Sequence, residues 1–72
     1  MMKTFKISIL PIGERNCRVS VEEYRNNRWA LFDMFEADSQ LVSEMLVYER
    51  EKASQGMFIL EVDDRREKFM MC

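Results

Sequence analysis

The chain has 72 residues, of which 11 are basic and 13 acidic, and it contains no histidine. This length suits one compact domain, residues 1–72, and a hydrophobic content of 47% excludes disorder as the main state. The net charge of −2 disfavours a protein that coats nucleic acid through non-specific electrostatics. The apolar runs are too short to cross a bilayer, so we expect no membrane helix and no signal peptide.

The first half of the chain has the pattern of three strands. Apolar and polar residues alternate at residues 5–9, and residues 11–16 have the composition of a hairpin loop. Alternation resumes at residues 17–25 and again at residues 28–36, on either side of Asn26 and Asn27. Asn tolerates positive φ better than any residue except Gly, so we predict a tight two-residue turn at this Asn pair.

That turn sets a predicted register for the second hairpin, with Tyr24 opposite Trp29 and, further along, Val21 opposite Phe32. Side chains alternate between the two faces, so the register divides them into two sets. The first set is the expected core: Val19, Val21, Ala30, Phe32 and Met34. The second set contains Tyr24, Trp29, Leu31 and Phe35 among Arg18, Ser20, Glu22 and Asp33. This second face is too apolar to be exposed to solvent without a covering element or a partner.

The second half begins with a helix that Asp38 or Ser39 can cap and that runs to about Ser54. Gly56 follows it as a C-terminal cap. Its apolar side is predicted to contain Leu41, Val42, Met45, Leu46, Tyr48 and Ala53. Residues 57–62 read as a buried strand, residues 63–66 as a polar turn, and residues 67–71 as either a short strand or a helical turn. The predicted fold is α+β, a small antiparallel β-sheet in the order β-β-β-α-β with an optional fifth strand and one helix on one face.

Catalysis has little support in this composition. The absence of histidine removes the commonest general base and transition-metal ligand, and Cys17 has no adjacent base to activate it. Neighbouring carboxylates such as Glu22 and Glu23 point to opposite faces of a strand, so they do not converge on a metal. With only two glycines there is no phosphate-binding loop. We therefore predict no enzyme activity, no cofactor, no metal site and no catalytic residue.

The apolar second face has three interpretations. The C-terminal residues Phe69 to Met71 could fold over it and complete the core. It could instead contact a protein, since Trp, Tyr and Arg are enriched in interface hot spots. In a third interpretation its aromatic rings stack on nucleic-acid bases while the arginines contact phosphate or guanine.

Two resemblances bear on these interpretations. Residues 18–51, two strands with a tight turn followed by a helix, resemble in outline the three-stranded DNA-reading domains of phage integrases and of a plant transcription-factor family. Glu22 and Asp33 dilute the basic face that this likeness implies. In size and in lacking catalytic groups the chain also resembles the small proteins with which phages inhibit host machinery, anti-CRISPR proteins among them.

We expect a non-enzymatic protein–protein interaction module that occupies a partner surface, as a phage or mobile-element inhibitor of a host complex does. The alternative is a nucleic-acid-binding domain that uses the hairpin from Arg18 to Phe35. The expected partner is a host protein complex or a second copy in a homodimer, and the expected compartment is the cytoplasm, with Cys17 and Cys72 as free thiols. The predicted protein-binding residues are the anchors Tyr24, Trp29, Leu31 and Phe35 with the rim Arg18, Arg25 and Arg28.

Overall fold

Five elements follow one another in the computed structural model of the chain, which describes residues 2–66. They are β1 (Thr4–Pro11), β2 (Asn16–Arg25), β3 (Arg28–Asp38), α1 (Ser39–Ser54) and β4 (Ile59–Asp64). This β-β-β-α-β order with one helix confirms the predicted α+β class. The optional fifth strand, residues 67–71, lies outside the described residues.

The four strands form one sheet in the order β3-β2-β1-β4. β1 and β2 are antiparallel, as are β2 and β3, whereas β4 pairs with β1 in parallel. β3 and β4 therefore run in the same direction at opposite edges, and α1 crosses the sheet between them. The first three strands match the predicted antiparallel sheet, and the parallel fourth strand makes the sheet mixed overall.

The turn between β2 and β3 has the predicted form, with φ of 52° at Asn26 and 65° at Asn27. Positive φ at both central residues is the geometry of a type I′ turn, whose twist matches that of the flanking strands. Tyr24 is opposite Trp29, as the predicted register requires.

A β-bulge then changes the register. Glu22 is opposite Leu31 and Val21 is opposite Asp33, so Phe32 is an extra residue in β3. One extra residue exchanges the two faces for every residue beyond it. The predicted placement of Phe35 on the second face is wrong, because Phe35 is opposite Val19 on the helix side. The placement of Met34 in the core is also wrong, since Met34 lies on the second face and is exposed.

The core lies between α1 and the first two strands. Its buried members are Ile7, Ile9, Cys17, Val19, Val42 and Leu46. A half-buried ring packs against them: Val21, Phe35, Ala37, Met45, Leu60 and Val62. Of the predicted core set, Val19 is buried and Val21 belongs to the half-buried ring. Phe32 does not, because its position in the bulge leaves it 63% exposed.

The helix begins and ends where its capping residues predict. The Asp38 carboxylate accepts a hydrogen bond from the Gln40 N–H at 2.8 Å. Gly56 has a φ of 85°, and its N–H donates to the Ala53 carbonyl at 3.0 Å. On the predicted apolar side Val42 and Leu46 are buried, whereas Leu41 and Tyr48 are exposed, because the sheet touches a narrower stripe of the helix.

The end of β4 is tied to the start of the helix by Arg66. Its guanidinium forms two short contacts with the Asp64 carboxylate, at 2.7 and 2.9 Å. It also donates to the Ser39 carbonyl at 2.8 Å and to the Ser43 hydroxyl at 2.9 Å. The hydrogen bonds that Arg66 donates to the Asp64 carboxylate, first from its side chain and also from its backbone N–H, lower the pKa of Asp64 below its ordinary value. Arg66 therefore holds the C-terminal end of β4 against the N-terminal end of α1.

Candidate functional site

The sheet has one face against α1 and a second face, here called the outer face, on which no described helix or strand packs. Strand register assigns residues to the outer face, because directly paired residues point to the same side. Its members are Thr4, Lys6, Ser8, Leu10, Arg18, Ser20, Glu22, Tyr24, Trp29, Leu31, Met34, Glu36, Ile59, Glu61 and Asp63.

Four of these side chains are apolar and follow one another along the β3 edge, a set here called the apolar stripe: Tyr24, Trp29, Leu31 and Met34. Leu31 is 58% exposed, Met34 53% and Tyr24 45%, while Trp29 is half-buried. The Tyr24 and Trp29 rings meet edge to face with their centroids 5.1 Å apart. The Lys6 ammonium lies 4.6 Å from the centroid of the Trp29 ring. The aromatic end of the stripe is therefore held in place, and its aliphatic end is open to solvent.

β3 is an edge strand, and an exposed edge is a template for pairing with another chain. Two features make this edge irregular. The bulge at Phe32 interrupts its pleat, and the Asp33 carboxylate accepts a hydrogen bond from the Met34 N–H at 2.9 Å. Bulges and charged side chains are how natural sheets block edge pairing. This region therefore offers side chains of the apolar stripe more readily than backbone hydrogen bonds.

The cations of the outer face are already engaged. Arg18 forms an ion pair with Glu36 at 3.3 Å, and Lys6 lies on the Trp29 ring. Glu22 and Glu61 are the register neighbours of Lys6 on either side. Within residues 2–66, neither of these two carboxylates has a cation at ion-pair distance. The charge left without a partner on the outer face is therefore negative.

The structure brings together three of the four predicted anchors, Tyr24, Trp29 and Leu31, on the outer face. The fourth anchor, Phe35, is half-buried against the core on the opposite face. Of the predicted rim, only Arg18 belongs to the outer face.

The other two rim residues, Arg25 and Arg28, are directly opposite each other beside the turn and point to the helix side. Arg25 lies 3.5 Å from the carboxylate of Glu23, which is only 6% exposed. The predicted arginine rim is therefore not a continuous border of the apolar stripe.

Two residues of this surface were not predicted from the sequence. Strict alternation, counted without the bulge, places Met34 in the core. The same alternation marks Lys6 only as a polar strand residue, because its position over Trp29 depends on pairing between β1 and β2. No local motif in the sequence marks either position.

Other sites receive no support from the described part of the chain. Residues 2–66 contain no group of three or more acidic or cysteine side chains placed to hold a metal ion. No helix among them is long and apolar enough to cross a membrane. Cys17 is a buried free thiol, and Cys72 lies outside the described residues, as do Phe69 to Met71.

No known protein family, curated protein or solved structure matches this chain.

Proposed function

We propose that the protein is a non-enzymatic binding module that attaches to another protein through the outer face of its sheet. The observation that carries this proposal is the exposure of Leu31 and Met34 beside the fixed ring pair of Tyr24 and Trp29. Contiguous exposed apolar side chains mark interaction surfaces, and Trp and Tyr are the residue types that dominate interface energetics. The module acts by occupying a surface of its partner, with no chemical step.

The charge of the outer face favours one kind of partner. Within residues 2–66 neither Glu22 nor Glu61 has a cation at ion-pair distance, so a surface that places Lys or Arg beside an apolar patch is complementary to this one. A second copy meeting this face would bring the same two carboxylates with it. Nucleic acid would bring phosphates toward unpaired carboxylates, and the Arg18 that could attract it is paired with Glu36. A different protein with a basic rim around an apolar patch is therefore the occupant that we propose.

A narrower version of this proposal is an inhibitor of a host complex encoded by a phage or mobile element. Its support is the small size of the chain together with a surface suited to occupying a partner. We further propose that the protein works in the cytoplasm, where Cys17 can remain a free thiol.

The experiment combines site-specific crosslinking with affinity measurement. A photo-crosslinking amino acid replaces Leu31 in one variant and Leu41, an equally exposed leucine on the helix, in a matched control. We expect position 31, but not position 41, to crosslink one protein in the source cell. With that protein purified, Leu31→Asp should weaken binding at least about tenfold, because it places a charge in an apolar contact, while Leu41→Asp should leave binding unchanged.

Equal crosslinking at both positions would overturn the proposal, as would equal affinities of the two Asp variants. A crosslinked product of two identical chains would assign the outer face to self-association instead. Circular dichroism of each variant establishes that the fold is retained.

A further inference from the structure

A groove opens on the helix side of the sheet, where the C-terminal half of α1 passes over the beginnings of β1 and β4. Its volume is about 250 Å³. The walls are mostly aromatic and aliphatic, with Phe5, Phe32, Phe35 and Phe58 joined by Met45 and Leu60. None of these six residues belongs to the outer face, so the groove is separate from the surface described above.

The phenylalanine rings stand at steep angles to one another. The Phe5 ring lies 5.5 Å from that of Phe32 at an interplanar angle of 70°. It lies 5.6 Å from the ring of Phe58 at 87°. Rings set nearly at right angles present both edges and faces to one space, and aromatic faces attract cations.

The charged groups that line the groove are two carboxylates, Asp33 and Glu49. Glu49 has a cation of its own, because Lys52 lies 3.3 Å from its carboxylate. Asp33 uses one oxygen to accept the Met34 N–H, and no cation in residues 2–66 lies at ion-pair distance from it. The lining of this apolar groove thus includes a carboxylate that has no ionic partner within residues 2–66.

We propose that this groove binds a long cationic side chain, lysine or arginine, presented by a partner polypeptide. The aliphatic part of such a side chain packs on the phenylalanine rings while its charged end reaches Asp33. A purely apolar side chain would pack against the apolar walls but leave the Asp33 carboxylate without an ionic partner. An acidic side chain would be repelled by the carboxylates of Asp33 and Glu49. Asp33 and Phe32 are in the bulge of β3, so the bulge aims an acid and a ring into the groove while Leu31 and Met34 point to the outer face.

The test uses three amino acids as probes, each acetylated on its α-nitrogen and carrying a C-terminal methylamide, so that the side chain is unmodified: lysine, arginine and norleucine. Each is titrated into the isotopically labelled full chain, and amide chemical shifts are followed by NMR. We expect the lysine or arginine probe, or both, to shift amides around Phe32, Asp33 and Phe58, and to bind several-fold more tightly than norleucine. Asp33→Asn should remove this advantage, and Glu61→Asn on the outer face should leave it unchanged.

If neither the lysine nor the arginine probe binds better than norleucine, the proposal is overturned, as it is by shifts confined to the outer face or by no shifts at saturating probe. Stronger binding by arginine than by lysine would assign the groove to a guanidinium, and the reverse to an ammonium. Leu31→Asp, the variant that tests the outer face, should not alter the titration. The two proposals can therefore fail independently.

Discussion

Ile9 lies at the centre of the core and has no exposed surface. Replacing a fully buried Ile by Ala removes apolar contacts and leaves a cavity, which costs roughly 2–5 kcal/mol in the free energy of unfolding. A domain of this size has only about 4–11 kcal/mol in total. We therefore expect Ile9→Ala to lower the urea midpoint strongly and Leu31→Ala to change it little, since Leu31 is exposed. Equal losses would contradict the placement of the core.

Asp64 is a residue for which the structure predicts a pH effect. Its pKa is lowered from the ordinary value of 3.8, chiefly by the hydrogen bonds from Arg66. A lowered folded-state pKa means that the carboxylate stabilises the fold fully above the ordinary value, and that this stabilisation is lost as pH falls through the lowered one. We expect Asp64→Asn to cost about 1–2 kcal/mol at neutral pH.

The measurement is the free energy of unfolding of both proteins between pH 7 and acid. The difference between wild type and Asp64→Asn should shrink below pH 3.8. A difference that is the same at every pH would show that the substitution acts through packing and not through charge. Asp63→Asn, which removes a more exposed ion pair with Arg65, serves as the control and should cost less.

The bulge in β3 predicts that the strand tolerates the deletion of one residue. Phe32 is the extra residue, so deleting it joins Leu31 to Asp33 while every other β2–β3 partner and facing is kept. We expect this deletion to yield a folded protein with the same cross-strand contacts, weakened only by the loss of the Phe32 ring against Phe5. The check is the set of NMR contacts between β2 and β3.

Deletion of Ser20 is the matched control. It lies in the central strand β2, where the loss of one residue disturbs the pairing with β1 and with β3 at once. We expect that variant to unfold. A folded Ser20 deletion together with an unfolded Phe32 deletion would refute the position of the bulge.

At the scale of the whole molecule, association between copies should respond to salt in a particular direction. Two copies that meet through their outer faces bring Glu22 and Glu61 of both chains together. Salt screens this repulsion, so we expect association of two copies through this face, the homodimer predicted from the sequence, to be weak at low ionic strength and to strengthen as ionic strength rises. Light scattering over a range of concentration and salt measures it. Dimerisation that weakens with salt would instead point to ion pairs between copies.

Binding to nucleic acid, the alternative function, would weaken as salt is added, which is the opposite of the response expected for association between copies. On the outer face Arg18 is in an ion pair, and within residues 2–66 Glu22 and Glu61 have no cation at ion-pair distance. We therefore expect no binding of labelled duplex DNA or single-stranded RNA in fluorescence anisotropy at low salt. Binding at low salt that falls steeply with added salt would support the alternative nucleic-acid function.

Features that depend on neighbouring residues could be predicted from the amino-acid sequence. Alternation marked the strands, the Asn26–Asn27 pair marked the turn, and Asp38 with Gly56 marked the helix ends. These signals are local because periodicity, positive φ and capping hydrogen bonds involve residues a few positions apart. Tyr24, Trp29 and Leu31 were placed on one face correctly because they lie between the turn and the bulge.

Two features depend on contacts between residues distant in the chain: the face to which each β3 residue beyond the bulge points, and the way in which β4 joins the sheet. The extra residue at Phe32 lets Phe35 pack into the core formed with Val42 and Leu46, contacts with a helix that comes later in the chain. Side chains of a strand alternate between the two faces, so the extra residue moves Phe35 from the outer face to the core and moves Met34 from the core to the outer face. The bulge also places Phe32 and Asp33 in the lining of the groove, and no local pattern in the sequence specifies that placement.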